Sequence, residues 1–214
     1  LWLIRSEEER YYTHYCLERP QKMIKKVPLH FRIPPIEEMP SKEKFCFHAS
    51  RLASANKNVP RLIEAAKKYG FNLKLAGYLH GMSEENWLKS LIGDAPNIEY
   101  VGEVSEQELQ DLYKRAKVFA LPSLQEGVGM VALEAAAYGC EIVLTNYGAP
   151  KEYYEGRATL VNPYDINEIG RAVMNAMNNG YAQPELMHYV NENYSAEACC
   201  KLLDKYIQEF VSQK

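Results

Sequence analysis

The chain of 214 residues is 47% hydrophobic and 25% charged, the composition of a globular protein with a buried core, and has room for one large domain or for one domain plus part of another. A formal net charge of −3 argues against general nucleic-acid binding, and no apolar run approaches the roughly 18 to 20 residues that cross a bilayer. Five cysteines, Cys16, Cys46, Cys140, Cys199 and Cys200, are odd in number and lack C-x-x-C spacing, which points to free thiols in a reducing, cytoplasmic setting.

The chain opens on LWLI, passes through Ser6-Glu-Glu-Glu9 and reaches MIKKVPL, a pattern of strand, capped helix and strand. It has neither the long apolar region of a signal peptide nor an initiator Met, so an excerpt of a longer protein is expected. Residues 19 to 32 hold Arg19, Lys22, Lys25, Lys26 and Arg32 with no acid among them. Such a run is either a solvated linker or a surface for an anionic membrane or acidic partner, peripheral contact with the inner face of a membrane included. The proline-marked FRIPPIEEMP then sets a boundary, with residues 1–38 the end of another body and residues 39–214 a domain.

From about residue 40, short apolar runs alternate with amphipathic ones. Strands are expected at Lys44 to Ala49, Asn72 to Ala76, Ile98 to Val101, Val118 to Leu121, Ile142 to Thr145 and Thr159 to Val161. Between them, Val59, Leu62, Ile63 and Ala66 form one helical stripe, and Ser105 to Glu108 and Asp165 to Glu168 have capping-box spacing. Strands alternating with helices predict an α/β domain, an open, doubly wound parallel sheet whose ligands bind beyond the carboxyl ends of the strands.

The chemistry concentrates at SLQEGVGMVALEAAAYG, residues 123 to 139, where a strand passes through a glycine turn into a helix. Gly127 and Gly129 allow close approach to the backbone, and the unpaired amides near Met130 and Val131 favour an anion. Glu134 lies about five residues into the helix, roughly 7 Å from that start, the distance from a nucleotide's second phosphate to its ribose. A ribose would supply the two donors that a carboxylate among alanines needs. Glu126 then faces whatever is attached to the far phosphate. Two alternatives remain open: Glu126 complements the helix dipole, and Glu134 pairs with a Lys or Arg across the fold. Arg51 and Lys57, after the first strand of the domain, are the candidate cations for a diphosphate. No D-x-D pair and no His/Cys cluster has metal spacing, so neither metal nor cofactor is expected; His14, His30, His48, His80 and His188 read as structural or solvated.

These motifs resemble the C-terminal, donor-binding half of the retaining glycosyltransferases of family 4, one Rossmann-like half of the GT-B fold. Glu126 to Glu134 resembles the family's E-x7-E motif, SRLASANKNV its Arg/Lys diphosphate motif, NIEYVGEV its base-side strand and loop, and LVNPYDINEIGRAV its closing strand and helix. The likeness runs from roughly residue 22 to 210, with residues 1–38 resembling the end of an acceptor domain and the hinge. The resemblance implies that Arg51 and Lys57 hold the diphosphate, Glu134 the ribose and Glu126 the sugar hydroxyls. Gly127, Val128, Gly129, Met130 and Val131 would line sugar and phosphate, and Val101, Gly102 and Val104 would flank the base. It further implies metal-independent transfer from a nucleotide sugar to a glycan or lipid-linked acceptor held by a missing N-terminal domain, so that this chain alone is catalytically incomplete. A sugar-nucleotide epimerase or phosphorylase, and a binding module without turnover, are the competing readings. Ser50 stands in place of the family's usual Gly, the interval from Arg51 to Lys57 is one residue longer than common, and Cys140-Glu141 replaces a residue followed by Pro.

Overall fold

The computed structural model describes residues 1–154, 156–180 and 182–212. It begins with a small unit in which β1 (Trp2–Ile4) and β2 (Ile24–Lys26) pair in parallel around α1 (Glu7–Tyr11) and the turn that follows it. The basic run of residues 19 to 32 is folded rather than a free linker. Lys25 pairs with Glu209 at 3.5 Å, Lys26 with Glu152 at 2.8 Å and Arg32 with Glu134 at 3.1 Å, while Arg19 lies over the Trp2 ring.

The larger unit holds β3 (Glu43–Ala49), β4 (Leu73–Ala76), β5 (Ile98–Gly102), β6 (Ala116–Leu121), β7 (Glu141–Thr145) and β8 (Thr159–Val161). They form one parallel sheet in the spatial order β5-β4-β3-β6-β7-β8. Helices α2 (Val59–Tyr69), α3 (Gly81–Ile92), α4 (Glu106–Arg115), α5 (Met130–Ala137), α6 (Pro150–Tyr153), α7 (Ile166–Asn179), α8 (Glu185–Tyr194) and α9 (Ala196–Val211) connect and follow these strands. The order reverses between β3 and β6, the switch point at which a doubly wound sheet leaves a crevice.

Strand alternation builds two cores. Phe45, Phe47, Phe119, Leu121, Ile142 and Leu144 face one way, against Leu133 and Ala136 of α5 and Leu186 of α8. Cys46, Leu73, Leu75, Val118, Ala120 and Val143 face the other, against Leu62 and Ile63 of α2 and Ile169 and Val173 of α7. Because both faces are covered, the strands read as near-continuous apolar runs, which is why they are visible in the sequence.

The helix starts follow the expected pattern with two corrections. At α4 the box closes in full, Ser105 accepting from the Glu108 amide and Glu108 from the Ser105 amide. At α7 the Asp165 amide already donates to the Asn162 carbonyl, and Glu168 instead takes the Asn162 amide at 3.1 Å. At α1 the Glu9 carboxylate is drawn to Arg5, whose guanidinium and amide it both holds, rather than to Ser6.

The small unit is tied to the sheet through α6. Tyr153 donates its hydroxyl to the Arg5 carbonyl at 2.7 Å, and Glu152 accepts from the Glu7 amide and from Lys26, each at 2.8 Å. Phe31 and Ile33, inside the stretch 1–38, are buried in the core of the larger unit.

Candidate functional site

At the carboxyl ends of β3 and β6 two loops are laced together. Asn58 stands in the left-handed region at φ 58° and is buried, its amide donating to the carbonyls of Pro122 at 2.9 Å and Pro163 at 2.7 Å. Asn56 donates to the Gln125 carbonyl at 2.8 Å and accepts from the Gln125 amide at 3.1 Å. This lacing aims Lys57, between the two asparagines, at the loop before α5. Its ammonium meets Glu126 Oε2 at 2.9 Å, where Ser123 also donates at 2.9 Å. Among the described residues no donor reaches Glu126 Oε1.

Behind Glu126 the loop after β7 comes within bonding distance of its backbone. The Glu126 amide donates to the Tyr147 carbonyl at 3.4 Å, and the Ala149 amide to the Glu126 carbonyl at 3.3 Å. Gly148 makes that approach possible, because at φ 94° a Cβ there would lie 1.9 Å from the Glu126 carbonyl oxygen. Gly129, at φ 74°, turns the chain into α5, and its carbonyl takes the amides of Ala132 and Leu133. The amides of Met130 and Val131, the first two of the helix, have no helical carbonyl before them and carry the positive end of its dipole.

These groups line a cleft of about 390 Å³. Lys57, Glu126, Gly127, Val128, Gly129, Met130, Val131 and Ala149 form one wall. Arg5, Ser6, Glu8, Glu9, Tyr12 and Leu29 form the other. Arg51 is exposed and is not among the lining residues.

Glu134 lies elsewhere. It is fully buried and borders a second cavity, of about 330 Å³, with Arg32, Ile33, Glu106 and Leu109. Its Oε1 accepts from Arg32 Nε at 3.1 Å and its Oε2 from the Tyr113 hydroxyl at 3.4 Å. Burial and the carboxylate beside it push the Tyr113 hydroxyl well above the usual phenol range, so it stays a donor. Val101 and Val104 pack on the nearby core, and neither they nor Gly102 line either cavity. Of the candidate residues, Lys57, Glu126 and Gly127 to Val131 thus line one cavity and Glu134 another, while Arg51, Val101, Gly102 and Val104 line neither.

Tertiary docking supplies what the sequence reading missed. Ser6, Glu9 and Tyr12 reach the cleft from more than 100 residues away, and Arg32 is the cation for Glu134, an option left open by the sequence without a named partner. His48 is fully buried between Ala120 O at 2.8 Å and Ser50 Oγ at 2.7 Å. Burial lowers its pKa to about 4, so the ring is neutral at pH 7. It donates from Nδ1 and accepts the Ser50 hydroxyl at Nε2.

The fold and these positions define a Rossmann-like α/β domain with a cleft at the carboxyl ends of its strands, where Lys57 and Glu126 meet a helix start. The chain belongs to the glycosyl transferases group 1 family, whose model matches residues 31–196. It is 27% identical over 128 residues to the O-antigen chain mannosyltransferase B of Escherichia coli, covering 56% of this chain and 34% of that protein. Its fold superposes on sucrose-phosphate synthase from Thermosynechococcus elongatus with a TM-score of 0.79 at 18% identity, over 99% of this chain and 58% of the synthase. A mutant of S. aureus TarM, solved in complex with fondaparinux, alpha-GlcNAc-glycerol and UDP, matches with a TM-score of 0.77 at 18% identity, over 95% of this chain and 43% of TarM. The sheet and its flanking helices are those of the GT-B glycosyltransferases. The chain thus spans about a third to three-fifths of the length of these proteins.

Proposed function

We propose that the chain is the donor-binding part of a retaining glycosyltransferase of the family-4 kind, taking a sugar from a nucleotide-diphosphate sugar and passing it to a glycan or lipid-linked acceptor. One observation carries this reading: the open start of α5 lines a cleft that holds Lys57 and Glu126, and the buried Glu134, about one turn further along the same helix, walls a second cavity. A diphosphate on the Met130 and Val131 amides would extend one way to a ribose at Glu134 and the other way to a sugar at Glu126. Oε1 of Glu126, which no donor reaches among the described residues, would accept a sugar hydroxyl there.

As the bond from the anomeric carbon to the diphosphate breaks, a bond to the acceptor oxygen forms on the same face, and the acceptor's proton passes to the departing phosphate oxygen. Negative charge grows on the diphosphate, so Lys57 and the helix start would stabilise the transition state more than the ground state. The residues present suit this charge-based catalysis without a metal. The UDP in the TarM complex and the sugar-transfer names of the relatives support a nucleotide-sugar donor. Free thiols fit a cytoplasmic location.

The share of the relatives covered favours one second reading, a donor-binding module without turnover of its own. Calorimetry with UDP, GDP, ADP and their sugar conjugates, followed by an assay for transfer to added acceptors, separates the two. Binding is expected for one of the nucleotides, and isomerisation of the donor without transfer would point instead to an epimerase.

A further inference from the structure

Glu134 has no exposed surface, whereas the side chain of its cationic partner, Arg32, is 70% exposed. The contact is made through Nε, at 3.1 Å, and among the described residues the second oxygen has only the Tyr113 hydroxyl at 3.4 Å. Charge-assisted bonds usually measure about 2.7 to 2.9 Å, and arginine usually grips a carboxylate with two parallel donors. Among the described residues Glu134 is therefore a buried carboxylate held by two long, single bonds, with its exposed cation lining the same cavity. Phe31 and Ile33, both buried, pin the backbone on either side of Arg32, so its side chain can swing without unseating the segment.

Resting on the proposal that Glu134 holds a ribose, we infer that Arg32 is a displaceable internal counter-ion of Glu134, which competes with the nucleotide and sets its affinity. Two adjacent ribose hydroxyls would satisfy both carboxylate oxygens at shorter range. The released guanidinium would return to water that it has largely kept. Because the guanidinium keeps most of its hydration in the pair, the competition is expected to weaken nucleotide binding by up to about fivefold.

UDP, GDP and ADP are each titrated into the unaltered chain and into Arg32→Ala and Glu134→Ala variants. For a nucleotide that binds, Arg32→Ala is expected to tighten binding about two- to fivefold, to lower the melting temperature of the free protein, and to narrow that gap at saturation. Unchanged or weaker binding in Arg32→Ala, with Glu134→Ala weakened, would overturn this inference and leave the ribose role standing. Unaltered affinity in Glu134→Ala, or no binding of any of the three nucleotides, would overturn the underlying reading instead. Should Arg32→Ala fold poorly, the Nε–H resonance of Arg32 in the unaltered chain, assigned by its loss in Arg32→Lys, decides: it should move to the free-arginine position on saturation. A resonance that does not move overturns the proposal.

Discussion

A carboxylate with no exposed surface is an uncommon residue to find among alanines, and its two bonds from Arg32 and Tyr113 are long for the charge they offset. If Glu134 receives the ribose, replacing it by alanine removes charge-assisted hydrogen bonds worth about 1.5 to 3 kcal/mol, a loss of roughly 10- to 150-fold in nucleotide affinity by calorimetry. An affinity within twofold of the parent would assign the residue to the fold alone. His48 makes a separate prediction, about pH. Its folded pKa of about 4 lies below the ordinary value of 6.5, so between those limits the unfolded chain binds a proton that the folded chain refuses. Stability therefore falls as pH drops through that window and is unaffected by this group above it, with a full effect of about 3 kcal/mol. Urea titrations at pH 7 and pH 5 should show the loss, and a His48→Gln variant should show less of it. Equal slopes in parent and variant would place the pH dependence elsewhere.

At the scale of elements, the helix start is only as well placed as the loops that hold it. Gly148 allows the loop after β7 to touch the Glu126 carbonyl, and the left-handed Asn58 orients Lys57. Gly148→Ala forces both a contact of 1.9 Å and an unfavourable φ, so it should cost roughly 1 to 3 kcal/mol and weaken donor binding together with stability. A variant with unaltered melting temperature and donor affinity would mean that this loop does not support Glu126. The same elements show what a sequence discloses. All six strands of the main sheet were legible, because parallel strands buried on both faces leave runs such as KFCFHA and VFAL, and so was the glycine turn into α5. Other features were not. The glutamates of two expected capping boxes went to neighbouring amides, since local spacing does not reveal that Asp165 has already given its N–H to Asn162. Nor does spacing reveal that Ser6 and Tyr12 close the cleft or that Arg32 covers Glu134, contacts made by packing between distant segments.

For the whole molecule, the sheet order places the strand reversal between β3 and β6, and the Lys57 and Glu126 loops leave the sheet on either side of it. The small unit of β1, α1 and β2 forms the far wall of the cleft, tied down through Glu152 and Tyr153. On the proposed reading a second domain holds the acceptor, and this chain covers 58% of the synthase and 43% of TarM. The chain alone is therefore expected to bind a nucleotide sugar while transferring little or none of it to an added acceptor. Sustained transfer by these 214 residues, measured by acceptor labelling, would mean that the small unit already provides a working acceptor site.

All of this depends on an anion being held at the start of α5. Amide chemical shifts followed during titration with nucleoside diphosphates test that most directly. The largest changes are expected at Gly127 to Val131 and at Lys57, with a second group at Ile33 and Glu134, and the matching nucleoside without phosphates should leave the first group in place. Shifts centred on another surface, or equal responses to nucleoside and diphosphate at Met130 and Val131, would contradict it.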